Sequence, residues 1–225
     1  MTDIEQLLRE RRIYRGGQLS PPAAVRSSGF AELDNALGGG LPTSGVCRLQ
    51  SDTGIGELRL LMPYLRQDSR KLIVLINPPG SLCADFWVNA GFSSEQLYAV
   101  RTDHKQALWC AGQCLQSGCC LAVLIWQQDL AVADVKRLQL ACDKGPCALW
   151  LLQGYSRHAP SLPLTLSMSL APAPSGLQVS VTKRKGGWPT GPILLDWRQH
   201  WPELVLEPLP DNVHPLPQPG RRQRA

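Results

Sequence analysis

The chain has 225 residues, an apolar share of 44% and a formal charge of +5 at pH 7. That length suits one domain with extensions, large enough to bury a core without disulfides or metal. The longest apolar runs are too short for a bilayer, and Met1-Thr2-Asp3-Ile4-Glu5 carries no secretory pattern, so the sequence reads as cytoplasmic.

Residues Ile4 to Arg12 read as an amphipathic helix, with Ile4, Leu7 and Leu8 on one stripe. Glycines and prolines at Gly16-Gly17 and Ser20-Pro21-Pro22 separate it from the rest of the chain, so residues 1–22 form an N-terminal helix and linker. Two uses stay open: docking to a partner, or packing against its own core. Arg9, Arg11, Arg12 and Arg15 make this end basic, as Arg221, Arg222 and Arg224 do at the other end. Such clusters contact phosphates, DNA included, or serve as solubilising faces.

An α/β pattern begins after residue 23. Strands are expected at Val46–Leu49, Leu72–Ile76, Leu97–Val100, Leu121–Ile125 and Ala148–Leu152. Helices are expected between them, at Glu57–Leu65, Ser81–Ala90, Lys105–Gln116 and Leu130–Cys142. Short apolar strands alternating with helices predict a mainly parallel sheet covered on both faces. Leu164–Leu170, Leu177–Thr182 and Pro192–Asp196 are expected as an antiparallel edge, with Pro172 and Pro174 in a turn. Residues 23–204 thus form one domain. Residues 205–225, with Pro208, Pro210, Pro215, Pro217 and Pro219, read as an extended or disordered tail.

The chemistry-bearing stretch is Ser51-Asp52-Thr53-Gly54-Ile55-Gly56-Glu57-Leu58, between the first strand and the helix after it. A phosphate-binding loop has this context and reads G-x-x-x-x-G-K-[ST]. Its amides cradle phosphate, its Lys reaches the outer phosphates and its hydroxyl holds Mg²⁺. Here Ser51 replaces the first Gly, Glu57 the Lys and Leu58 the hydroxyl residue, and only Gly56 keeps its place. Unit charges ~4 Å apart at an effective dielectric of ~20 interact by ~4 kcal/mol, so reversing the sign at Glu57 works strongly against a triphosphate. An ordinary Gly-containing turn is the plainer alternative.

Eight Cys invite a metal or disulfide reading. Cys110, Cys114, Cys119 and Cys120 cluster, and Cys110 and Cys114 share a helix face. No C-x-x-C pair or nearby His completes a zinc set, so buried thiols are expected and no metal or other cofactor. His104, His158, His200 and His214 form no triad.

The lead-in Ser27-Ser28-Gly29-Phe30-Ala31-Glu32-Leu33-Asp34-Asn35-Ala36-Leu37-Gly38-Gly39-Gly40-Leu41-Pro42 resembles the RecA family's "TG-x-x-x-LD-x-ALG-GG-(L/I)P-x-G" pattern. That resemblance implies a RecA-like P-loop-type core with a degenerate nucleotide site. Its catalytic Glu would fall near Pro79, where Asn77 to Gly80 hold no acid. Its Walker B Asp would follow Ile125, where Trp126 stands. Lys183 and Lys185, with Arg184 between them, resemble the family's late K-x-K pair, which reaches a neighbouring subunit's nucleotide. A solvated hairpin edge is the alternative. Within this group the chain resembles ImuA, an accessory protein of bacterial translesion synthesis. That implies a non-catalytic adaptor assembling with an ImuB-type protein and an error-prone DnaE-type polymerase, linked through ImuB to the sliding clamp, with contact to RecA also implied. The central region, Leu60 to Ser156, also resembles SulA, which implies the alternative of a division inhibitor binding FtsZ.

Overall fold

The computed structural model describes residues 24–155 and 161–205. The proposed N-terminal helix and linker, the segment 156–160 and the tail after Val205 lie outside them.

A two-stranded ribbon comes first, β1 (Val25–Arg26) against β2 (Leu41–Pro42), with α1 (Ala31–Leu37) between. The Asp34 side chain reaches back to the preceding turn, accepting from Ser28 N at 2.8 Å and Ser27 Oγ at 2.5 Å. Gly38, at φ 66°, ends the helix in the left-handed conformation that Gly adopts without a Cβ penalty. The lead-in string therefore has a local structural job: a braced helix with a glycine stop, delivering the chain to the sheet.

Next in chain order are β3 (Gly45–Gln50), α2 (Glu57–Leu65), β4 (Leu72–Ile76), α3 (Ala84–Asn89), β5 (Leu97–Val100), α4 (His104–Gln116), β6 (Cys120–Trp126), α5 (Val132–Lys144) and β7 (Ala148–Gln153). Three long strands complete the fold: β8 (Leu166–Ala173), β9 (Gly176–Arg184) and β10 (Thr190–Asp196). The eight strands pair in the order β10-β9-β8-β3-β7-β6-β4-β5. All pairs from β5 to β8 are parallel, and β9 and β10 add antiparallel pairs. The fold is α/β, a large, mainly parallel mixed sheet flanked by helices.

Both faces of the parallel strands are covered, so their sequences run apolar without alternation. Ile73 and Leu75 of β4 join one core with Leu33, Leu60 and Trp87 from α1, α2 and α3. Val74 and Ile76 join a second core with Ala111 and Leu138 from α4 and α5. Trp150 is fully buried and meets the Tyr64 ring edge-on, centroids 6.0 Å apart, while Tyr64 Oη donates to Pro42 O at 2.9 Å.

One expectation needs correcting. Pro172 lies inside β8, opposite Leu177. The pairing of β8 with β3 ends at Ser169, so at Pro172 that side of the strand has no partner to lose and a missing N–H costs nothing in the ladder.

Candidate functional site

Parallel strands carry their C-terminal ends to one edge of the sheet. The segments after β3, β4, β6 and β7 meet there. In such sheets, ligand crevices form at this edge where the strand order changes direction. β3 occupies such a point, since β4 to β7 lie on one side of it and β8 on the other.

The Ser51–Gly56 loop leaves β3 at this place. Ser51 N donates to Gln153 O at 3.0 Å, which holds the loop's first residue against the end of β7. Gly54 and Gly56 both have positive φ, 89° and 111°. The turn needs glycine at Gly56 for a second reason: a Cβ there would meet Trp197 Cζ2 at 2.9 Å. Trp197 follows β10 and belongs to an aromatic group with Phe30 and Trp201, at centroid distances of 5.8 and 5.3 Å. His200 packs edge-on to Phe30 at 4.9 Å, its Nε2 paired with Gly29 O at 2.8 Å.

Glu57 opens α2 and is only 6% exposed. Its carboxylate turns back into the loop. Gly54 N donates to Oε1 at 3.2 Å and to Oε2 at 3.1 Å, and Gly56 N donates to Oε2 at 3.2 Å. A carboxylate at a helix N-terminus also sits at the favourable end of the helix dipole. Two loop amides of the kind that would serve a bound anion therefore serve the chain's own. Sequence reasoning treated Glu57 as a charge repelling phosphate. The geometry gives it a positive role as the occupant of the loop.

Trp126 and Asn77 stand at the ends of β6 and β4. Trp126 ends β6 half-buried against the first core. Asn77, at φ 54°, is spent on local bonding: its Oδ1 accepts from Thr102 N at 2.8 Å. Gln153 is buried and its Nε2 donates to Gln127 O at 2.6 Å and Gln128 O at 2.9 Å, tying the segment after β6 to β7. Gln153 and Trp197 are the residues that sequence reasoning missed. Only their positions, at the end of an apolar strand and after the last one, carried any signal. Leu58 and Ile55 lean on the first core, so Leu58 anchors the helix where a hydroxyl would face metal. Among the described residues no group of three or more His, Cys, Asp or Glu is placed to hold a metal ion. No described helix is long and apolar enough to cross a membrane.

Lys183, Arg184 and Lys185 sit at the opposite edge of the sheet. Arg184 pairs with Leu166 near the start of β8, and Lys185 N donates to Thr165 O at 2.9 Å. They are not brought together with their own chain's loop. Lys183 Nζ donates to Leu162 O at 2.6 Å, and Arg184 Nη1 donates to Ala36 O at 3.4 Å, near the C-terminus of α1 where a cation is favoured. Lys185 is exposed beside the hairpin tip, where Trp188 is 86% exposed. Arg9, Arg11, Arg12, Arg221, Arg222 and Arg224 lie outside the described residues.

No family model matches the sequence, and a comparison with curated proteins finds no match. Among solved structures the chain is similar to SulA from Pseudomonas aeruginosa, with 27% identity over 48% of this chain and 98% of that one. The TM-score is 0.41, a superposition too loose to carry a functional assignment.

Proposed function

We propose that this chain is a RecA-like adaptor without nucleotide chemistry, which works through protein contacts in SOS-induced translesion synthesis. The observation that carries the first half is the Glu57 carboxylate held by the amides of Gly54 and Gly56. With the Gly54 and Gly56 N–H groups already bonded to a buried anion, those two donors are withdrawn from a phosphate, and a second negative charge there meets repulsion. The strand–loop–helix context of β3, Ser51–Gly56 and α2 supports descent from a phosphate-binding loop. The braced lead-in from Ser27 to Pro42, which delivers the chain into β3, supports a RecA-like core. Trp126 and Asn77, at the ends of β6 and β4, support the loss of hydrolysis.

The second half rests on the ImuA-like lead-in and decayed loop. The partners are then an ImuB-type protein and an error-prone DnaE-type polymerase, with the sliding clamp reached through ImuB. Lys185 and Trp188 form an exposed hairpin surface suited to such contact, since Trp is enriched among the residues that anchor interfaces. Capture of the full chain from DNA-damaged host cells, beside a chain lacking residues 206–225, tests this. Co-recovery of an ImuB-type protein and the polymerase is expected. Recovery of FtsZ without them would replace this reading with division inhibition.

A further inference from the structure

Helices α4 and α5 lie side by side over the second core and carry an apolar notch on their outer side. Ala107, Ala111 and Leu115 turn α4 toward the sheet, and Leu138 and Cys142 do the same for α5. Trp109 falls midway between Ala107 and Ala111 in sequence, and Leu140 midway between Leu138 and Cys142. At 3.6 residues per turn, both therefore face away from the sheet. They are 69% and 64% exposed. Lys144 Nζ donates to Gln116 Oε1 at 3.5 Å, which marks the sides on which the two helices meet. One turn earlier along those sides stand Gly112 on α4 and Leu140 on α5. Nothing lies within 4 Å of where a Cβ on Gly112 would be. The notch thus has Gly112 as its floor and Trp109 and Leu140 as its walls.

The described chain starts close to this place. Ala24 O accepts from Thr43 N at 2.9 Å and from Thr43 Oγ1 at 3.0 Å. The next residue, Ser44, donates its hydroxyl to Cys142 O at 2.9 Å, in the last turn of α5. Residues 1–23 are therefore attached beside the C-terminal end of α5.

We propose that residues 1–23 lie back across α4 and α5 of their own chain, with Ile4, Leu7 and Leu8 of the expected N-terminal helix seated in the notch between Trp109 and Leu140. Aliphatic side chains meet an indole and a leucine, and covering them removes apolar surface from water. The reach is sufficient. Residues 13–23 extend to about 36 Å at most. The path needs about 12 Å to round α5 and about 5 Å for the turn between Lys144 and Leu140. The tether selects the occupant: a segment attached this close is present at an effective concentration on the order of millimolar, far above a second copy or a separate partner. Seated there, the apolar stripe is withdrawn from other proteins, which must displace it in order to bind.

The test places the photo-reactive residue p-benzoylphenylalanine at Leu7 of the full chain, irradiates an equal mixture of nitrogen-15-labelled and unlabelled chains, and maps the cross-linked peptides by mass. The expected product joins Leu7 to the Trp109–Gly112 or Leu140 region, within labelled or within unlabelled chains and never between them. Trp109→Ser with Leu140→Ser, both at exposed positions, should cut its yield at least fivefold. The same probe at Gln6, on the side of the helix opposite the stripe, should give a similarly reduced yield. Cross-links between labelled and unlabelled chains would overturn the proposal in favour of a second copy. Cross-links to another surface, or none within the chain, would overturn it too and leave the helix free for a partner. Equal yields from Leu7 and Gln6 would show random collision rather than a seated stripe, and would also overturn it.

Discussion

Replacing Glu57 should damage the fold. In Glu57→Ala the N–H groups of Gly54 and Gly56 lose their acceptor. Gly54 is exposed and can bond to water instead, whereas Gly56 is buried beneath Trp197. Hydrogen bonds to a charged group contribute about 1.5–3 kcal/mol each, and a stranded buried donor costs about 1–3 kcal/mol. Loss of the carboxylate from the start of α2 adds about 0.3–1 kcal/mol. Counting the Gly56 bond and the helix end, the variant should lose about 2–4 kcal/mol. For a domain of this size each kcal/mol shifts Tm by about 2–4 °C, giving a drop of about 5–15 °C. Glu57→Gln keeps one acceptor oxygen and should lose less. Glu57→Lys puts a cation against N–H donors and the positive end of the helix, and should lose most. Urea unfolding followed by tryptophan emission measures the series, with the slope expected to stay constant. A Glu57→Ala chain as stable as the parent would refute the account of the loop, because it would mean that the carboxylate holds nothing in place.

Gly56→Ala should cost about 1–3 kcal/mol in the same assay, since φ is 111° and the new methyl would press on the Trp197 ring; a neutral effect would show that the ring is free to move. Cys47, Cys142 and Cys147 are buried and their thiols are raised above 9.0, Cys142 to about 12, mainly by burial. Folded thiols that stay protonated while unfolded ones ionise give stability that is complete below pH 9 and falls as pH rises beyond it. Urea midpoints at pH 7.5 and 10 check this, and equal midpoints would contradict it. Alkylation of the native chain should label Cys83 and Cys119 first and leave those three unmodified until denaturant is added. Trp188→Ser with Lys185→Glu should leave stability within about 0.5 kcal/mol yet reduce recovery of the polymerase partners; undiminished recovery would move the contact surface elsewhere.

The sheet was legible because its parallel strands are short apolar runs with helices between them, and burial on both faces demands that composition. Leu72–Ile76 and Leu121–Ile125 left little room for another reading. The reversal of the Glu57 side chain was not legible. It depends on positive φ at Gly54 and Gly56, which aims two amides at one carboxylate, and spacing alone does not encode that. Lys183 and Arg184 read as free charges because their acceptors, Leu162 O and Ala36 O, are backbone atoms distant in sequence. Pro172 was misplaced because its tolerance in β8 depends on where the neighbouring strand β3 stops.

The central claim is that the loop is filled from within and turns over no nucleotide. Titration of the full-length chain with Mg·ATP in a calorimeter, with inorganic phosphate release followed in parallel, addresses it most directly. The account predicts no saturable heat and no phosphate above the buffer blank. Saturable binding accompanied by phosphate release that Glu57→Ala abolishes would contradict it and make Glu57 a working residue of an active site.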